Sequence, residues 1–181
     1  MKNERIPNKT IAITFDDGLE NNYTHAFPVL KKLDIPATVF ISPGLIGKED
    51  YLTWSQVVQM SESGVISIGS HSMAHAYLPG STEQKLDIEI SDSKRAIESH
   101  IRKEIHSFCY PVGGFNDYVR DKVKDAGYRI AVATNPGKDY PDHDEFAMKR
   151  VRISRTSDSL LTFWIETSGF YTWIKEHRDE D

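Results

Sequence analysis

The sequence predicts an α/β fold in which six short strands form one parallel sheet, either a small, incomplete barrel or an open sheet. Two observations favour this fold: β-rich runs alternate with segments of helical periodicity, and several of the runs are almost wholly apolar. Continuously apolar strands are expected where helices cover both faces of a parallel sheet. The predicted strands are residues 11–15, 37–42, 65–70, 107–110, 129–134 and 149–154.

The segments between these strands carry residues that begin and end helices. Serine, threonine and asparagine accept backbone hydrogen bonds at helix N-termini, and proline is favoured in the first turn. The predicted helix starts are Pro28, the capping boxes Thr53–Gln56 and Ser81–Gln84, and Asn116. Gly64 and Gly127 are expected to end the helices that begin at Thr53 and Asn116, because glycine is favoured just past a helix terminus.

Length and composition limit the class of protein. The 181 residues suffice for one domain with a substantial core, so residues 1–181 are predicted to form a single domain. The formal net charge of -5 argues against a nucleic-acid partner. A single cysteine, Cys109, excludes an intrachain disulfide and any zinc site built from several cysteines. No apolar run approaches the roughly 20 residues that span a bilayer, and residues 1–10 lack the apolar core of a secretory signal.

Polar or backbone-permissive clusters follow three of the predicted strands. They are Asp16-Asp17-Gly18, His71 to His75, and the turn Pro111 to Gly114. Because the carboxyl ends of parallel strands gather at one rim, we expect the three clusters to converge.

Two histidines four residues apart and a carboxylate from a neighbouring strand end are typical of a catalytic metal site. On one helical turn, side chains four apart have Cβ atoms roughly 5–6 Å apart, and two imidazoles can then share an ion with a carboxylate while positions stay open for water and substrate. The alternative is that His71 and His75 are capping or surface residues and that Asp16-Asp17 is a turn. Their combination at adjacent strand ends favours the metal site.

The motifs TFDDG (14–18) and HSMAH (71–75) resemble those of the polysaccharide deacetylases of the NodB-homology group, carbohydrate esterase family 4. The likeness extends over nearly the whole chain, and stretches such as IPATVFIS, SFCYPVGGFN and DAGYRIAVAT are similar to the branch that contains poly-N-acetylglucosamine deacetylases. The resemblance implies an incomplete (β/α) barrel of about six to seven parallel strands.

It also implies roles for individual residues. Asp16 would be the general base, and Asp17, His71 and His75 would hold one divalent ion, with zinc favoured and cobalt or nickel as alternatives. The oxyanion or substrate would be met by Tyr110 and by the backbone N–H of Val112. Ser72 is expected to make a supporting hydrogen bond. Tyr77 and Tyr110 also lie where rings could stack on a sugar, although most aromatic residues in such loops are packing residues.

The chain departs from the family pattern at two functional positions. Many members carry an arginine where this chain has Cys109, so Arg150 is nominated to orient Asp16, with a solvent-facing strand arginine as the alternative. The late Leu-x-His motif that supplies the general acid is absent after Arg150, and His177 lies in a charged tail. We expect the N-terminus to be shortened, with the acid lost or replaced; His25 and His143 are the candidates.

The predicted activity is metal-dependent deacetylation of N-acetylglucosamine units in a polysaccharide, giving acetate and free amine. One alternative is a carbohydrate-binding domain that retains the metal with little or no turnover, and another is a hydrolase of small N-acyl or ester substrates. The expected partner is a polysaccharide or oligosaccharide that contains N-acetylglucosamine, and no nucleic-acid partner is expected. The chain is expected to have no membrane span and to be a monomer. The full-length protein is expected to be secreted or associated with the cell envelope, while a chain starting at Met1 without a signal leaves the cytoplasm open.

Overall fold

The computed structural model describes residues 10–134, 144–154 and 157–168. The chain divides into two compact units: a larger one, Ile13–Lys149, and a smaller one that combines Met1–Ala12 with Arg150–Asp181. The single domain over residues 1–181 stays a prediction.

Six parallel strands in sequential order form the sheet of the larger unit, and together they make a half-barrel. The predicted fold class is therefore confirmed. The strands are β1 (Ile13–Phe15), β2 (Ala37–Ile41), β3 (Ile66–Ser70), β4 (Ser107–Cys109), β5 (Ile130–Ala133) and β6 (Met148–Lys149). The ladder between β2 and β3 has five residue pairs, whereas Ser70 opposite Phe108 is the one pair of the β3–β4 ladder in the described part of the chain.

Helices follow the strands in the order that the caps predict. They are α1 (Phe27–Leu33), α2 (Trp54–Glu62), α3 (Glu83–Leu86), α4 (Ser93–Ile101) and α5 (Asp117–Asp125), with π-helical turns at Asn22–Ala26 before α1 and Asp87–Asp92 between α3 and α4. The capping box of Thr53 and Gln56 is confirmed, because each residue binds the backbone N–H of the other. Asn116 is confirmed as the cap of α5, where its side chain accepts a hydrogen bond from Val119 N at 2.9 Å.

The second capping box was predicted one residue too early. Thr82 is the cap of α3, because its extended backbone lets Oγ1 accept a hydrogen bond from Lys85 N at 3.3 Å. Ser81 Oγ instead donates to Tyr77 O at 3.4 Å. Pro28 lies in the first turn of α1 as predicted, although the π-helical turn places helical backbone before it.

The core of this unit lies between the sheet and the helices. Val39 and Ile41 of β2 belong to the same buried cluster as Ile97 of α4 and Val123 of α5. Burial of each such side chain contributes roughly 1.5–3 kcal/mol, so the packed helices fix the strands whose carboxyl ends carry the polar clusters.

The strand predicted at residues 149–154 is found only at its first residue. β6 contains Met148 and Lys149, and residues 150–154 have no strand conformation. Val151 and Ile153 alternate in sequence, but both are exposed, so no buried face holds this segment as a strand.

The smaller unit contains helix α6 (Leu160–Thr167), whose cap Ser159 accepts a hydrogen bond from Thr162 N at 3.1 Å. Across the described ranges of the chain, no helix is both long and apolar enough to cross a bilayer.

Candidate metal centre

The loop after β1 presents two carboxylates at the rim of the sheet. Asp17 and Gly18 both have left-handed backbone, with φ of 71° and 70°. A Cβ on Gly18 would lie 2.9 Å from Ile41 Cγ2, so glycine is required both by the turn and by the close approach to β2. Gly18 O also accepts a hydrogen bond from Leu52 N at 2.9 Å. These constraints fix the residue that directly follows Asp17 and hold the Asp17 carboxylate at the surface.

The loop after β3 presents the two histidines. His71 continues the sheet, since its N–H donates to Ile41 O at 2.8 Å, and its own carbonyl accepts a bond from Ser42 Oγ at 2.7 Å. Ser72 then turns the chain with a φ of 61°, and its Oγ accepts a hydrogen bond from Ala76 N at 3.2 Å. The predicted supporting role of Ser72 is thereby confirmed.

The three predicted ligands converge. Asp17 Oδ1 lies 3.5 Å from His71 Nε2 and 3.3 Å from His75 Nε2, and the ligand atoms of the three residues all lie within 4.8 Å of one another. Two ligands about 2.0–2.2 Å from a tetrahedral ion lie about 3.4 Å apart. The observed separations therefore fit a shared divalent ion.

A hydrogen bond to the backbone sets the tautomer of His71. Its Nδ1 lies 2.8 Å from Cys109 O, and because a carbonyl can only accept, Nδ1 must carry the proton. In the neutral ring, Nε2 then presents a lone pair towards Asp17 Oδ1. Two facing acceptors repel unless a cation or a proton lies between them, and second-shell bonds of this kind orient histidine ligands in metal sites. The donor set thus fits a metal ion.

A second cluster shares His71. Asp16, His71 and Cys109 also bring potential ligand atoms within 4.8 Å of one another, and Cys109 is fully buried. Since Nδ1 of His71 is bound to the Cys109 carbonyl, only Nε2 is left for a ligand bond, so the two clusters cannot be filled together. The same cluster places the predicted base, Asp16, next to the predicted ligand set.

The turn after β4 is the third part of the rim. Pro111–Gly113 form a single 3-10 turn, in which the β-branched Val112 has a φ of 57°. Such a conformation is costly for a β-branched residue and is typical of functional loops. The Val112 side chain is exposed, so the turn is held by its backbone.

Tyr110 lies at the start of this turn with its side chain in the core. The residue is 1% exposed, its ring stacks on Phe115 at 4.4 Å, and its hydroxyl donates to Phe146 O at 2.9 Å. The structure therefore assigns the ring to packing, and a substrate contact by Tyr110 stays a prediction.

Among the other histidines predicted to act, His25 is the one that the structure describes, and it is in neither cluster. His25 lies in the π-helical turn before α1, with Nδ1 2.8 Å from Thr24 Oγ1. Arg150 is the residue after β6 and belongs to the smaller unit, so its action on Asp16 stays a prediction. His143 and His177 lie outside the described residues.

Sequence reasoning missed a buried carboxyl group, that of Glu89, which supports the histidine loop. Glu89 is 6% exposed, and its Oε2 accepts a hydrogen bond from Ala74 N at 2.9 Å, between the two histidines. Its position three residues after the apolar Leu86, on the same face of the helix, was the available signal.

Fold and site together define a half-barrel α/β domain with a candidate single-ion centre at the carboxyl ends of β1 and β3. Residues 3–131 match the sequence profile of the family described as "Polysaccharide deacetylase". This chain belongs to the polysaccharide deacetylase family.

Relatives from several bacteria are similar over most of the chain. YxkH of Bacillus subtilis, a protein assigned as a polysaccharide deacetylase, is 38% identical over 88% of this chain and 57% of its own length. A poly-beta-1,6-N-acetyl-D-glucosamine N-deacetylase of Staphylococcus epidermidis is 29% identical over 92% of this chain and 61% of its own length. The chain thus spans about three fifths of the length of these relatives.

Solved structures share the fold. BC0361, a polysaccharide deacetylase from Bacillus cereus, matches with a TM-score of 0.78 at 34% identity, covering 88% of this chain and 52% of its own. The Streptococcus pyogenes deacetylase PplD, solved in complex with acetate, matches with a TM-score of 0.77 at 28% identity, covering 84% and 68%.

Proposed function

We propose that this chain is a metal-dependent N-deacetylase that hydrolyses the acetamide of N-acetylglucosamine units in a polysaccharide, giving acetate and a free amine. The observation that carries the proposal is the convergence of Asp17, His71 and His75 beside a second carboxylate, Asp16. The names of the relatives support the reaction class, and acetate in the S. pyogenes deacetylase is the acid product that such a reaction releases.

The proposed cofactor is one divalent ion held by Asp17, His71 and His75. Two nitrogen ligands and one oxygen ligand suit zinc, and also cobalt and nickel. When bound, such an ion supplies an acidified water and a Lewis acid for the acetamide carbonyl.

The chain's own residues would move the protons and stabilise the charge. Asp16 would accept the proton of the attacking water. The Val112 N–H would donate to the acetamide oxygen as negative charge develops on it, which is the role of an oxyanion hole. Arg150 is proposed to orient Asp16.

The leaving amine also needs a proton, and this step defines the alternative function. Neither ligand-atom cluster in the described part of the chain includes a histidine besides His71 and His75. This observation favours, as the second candidate, a carbohydrate-binding domain that keeps the metal with little or no turnover. If the chain is a deacetylase, His25 and His143 remain the proposed general acids.

The deciding experiment combines metal content with acetate release. Asp17→Ala and His71→Ala should lose stoichiometric zinc, measured by mass spectrometry after dialysis, whereas the matched control His106→Ala should retain it. His106 is a histidine in neither cluster. Asp16→Asn should keep zinc yet stop releasing acetate from N-acetylglucosamine oligomers. Unchanged zinc in the first two variants, or an active Asp16→Asn, would contradict the assignment. Zinc and oligomer binding by the wild-type chain without acetate release would select the binding domain.

The proposed substrate also suggests where the protein works. Because polysaccharides of N-acetylglucosamine occur at and outside the cell envelope, we propose that the protein is exported or envelope-associated and acts as a monomer. Cell fractionation and light scattering of the purified protein test these two points.

A further inference from the structure

Tyr77 is a large aromatic side chain left in solvent beside the candidate metal centre. It lies two residues after His75 and is 60% exposed. Such a ring loses favourable burial unless something covers it. Its neighbours on the rim therefore decide what it could bind.

The Tyr77 ring is held against the backbone of Gly114. A Cβ built on Gly114 would lie 2.2 Å from Tyr77 Cε2 and 2.7 Å from Cδ2. Gly114 has φ of -83° and ψ of 117°, a backbone conformation that any residue adopts. A larger residue at position 114 would therefore have to displace the Tyr77 ring, whereas the backbone of the turn would accept it.

This contact joins the two loops that build the centre. The histidine loop is bonded to the end of β4 through His71 Nδ1 and Cys109 O, and it contacts the turn that follows β4 through Tyr77 and Gly114. Val112, two residues before Gly114, is 78% exposed on the same turn. Two exposed apolar side chains, Tyr77 and Val112, therefore lie on the loops that carry the candidate site, and one edge of the Tyr77 ring packs against Gly114.

We propose that the Tyr77 ring, positioned by Gly114, is a stacking subsite for the sugar that flanks the one at the metal centre. This inference rests on the proposed function and deepens it, because it makes the site selective for oligomers over a single sugar. The axial C–H groups of a pyranose carry partial positive charge that suits the negative face of an aromatic ring. A ring already held in place pays little ordering entropy when a ligand binds.

Binding, which needs no turnover, is the primary measurement. Zinc-loaded protein is titrated calorimetrically with N-acetylglucosamine oligomers of one to five units, β-1,4-linked and β-1,6-linked. Tyr77→Ala should weaken binding of oligomers of two or more units by about 2- to 12-fold and leave the single sugar unchanged, while Tyr77→Phe should bind as the wild type. Equal affinities of Tyr77→Ala and wild type for every oligomer, or an equal loss for the single sugar, would overturn the subsite.

Gly114→Ala tests the positioning without removing the ring. The new Cβ must displace the ring, so oligomer binding should fall as in Tyr77→Ala. In the double variant with Tyr77→Ala the added methyl meets no ring, and no further loss is expected. Additive losses would show that Gly114 acts through the turn itself and would overturn its positioning role.

The outcome is separable from that of the proposed function. A length-dependent loss of binding in Tyr77→Ala supports the subsite even if the wild type releases no acetate. Acetate release and zinc binding that depend on His71, without any dependence of oligomer binding on Tyr77, would leave the proposed function standing and overturn the subsite.

Discussion

Replacing Gly18 with alanine tests whether the loop after β1 is built to hold Asp17. Gly18 has a φ of 70°, and a Cβ there would lie 2.9 Å from Ile41 Cγ2 and 3.2 Å from Ile41 Cβ. Alanine would carry two separate penalties. Left-handed backbone costs an L-residue about 1–2 kcal/mol, and overpacking against the fully buried Ile41 costs about 1–3 kcal/mol more.

Gly64 provides a matched control. It has a φ of 82°, but a Cβ there would meet no atom within 4 Å. Gly64→Ala should therefore carry only the backbone penalty, and the entropy that alanine removes from the unfolded chain is common to both variants. Gly18→Ala is expected to lose about 2–5 kcal/mol of unfolding free energy, and Gly64→Ala about 1–2 kcal/mol.

Urea denaturation and zinc titration measure the two consequences. Zinc affinity should fall by about 10- to 100-fold in Gly18→Ala, because residues that orient a ligand have effects of this size, and should be unchanged in Gly64→Ala. Equal losses of stability in the two variants would refute the steric argument. Wild-type zinc affinity in Gly18→Ala would refute the positioning of Asp17 by this turn.

Three further outcomes are expected. Glu89→Ala should cost about 1–3 kcal/mol in urea denaturation, because it leaves Ala74 N–H without its buried acceptor, and Glu89→Gln should recover most of this loss. Tyr110→Phe should cost about 1–3 kcal/mol through the unpaired Phe146 carbonyl and leave zinc content unchanged; a large loss of oligomer binding at wild-type stability would instead favour substrate contact. Burial raises the pKa of Tyr128 above its usual range, although hydrogen bonds from Ser70 and Ser93 oppose the shift. The folded state thus holds this proton more tightly than the unfolded state. The contribution of Tyr128 to the free energy of unfolding should therefore be present in full below about pH 10 and decline above it by up to about 1.4 kcal/mol per pH unit. Tyr128→Phe should flatten this decline.

The strand order and the ligand set follow from local patterns that the sequence carries. Apolar runs such as residues 37–42 strongly favour a strand that is buried on both faces. The carboxylate and the two imidazoles follow such runs directly, so the topology alone brings Asp17 near His71 and His75.

Features that depend on tertiary packing were beyond the sequence patterns. The π-helical turn Asp87–Asp92 adds a residue to a helix whose apolar spacing predicts an ordinary α-helix. Tyr110 follows a strand beside the centre, which suggests a ligand contact, yet its ring is drawn into the core by Phe108 and Phe115. For the segment 149–154, the alternation of apolar residues predicts a strand, but no buried surface is available to hold it.

His71, the residue after β3, forms hydrogen bonds to both β2 and β4, just beyond the last backbone pair between β3 and β4. Its backbone N–H bonds to β2 through Ile41, and its ring bonds to β4 through Cys109, one residue beyond the single backbone pair of Ser70 and Phe108. The imidazole therefore cross-links neighbouring strands of the sheet in addition to being a candidate metal ligand. If the proposed ion were lost in evolution, Asp17 and His75 would no longer be constrained as ligands, whereas the hydrogen bond between the His71 ring and Cys109 would still favour keeping His71.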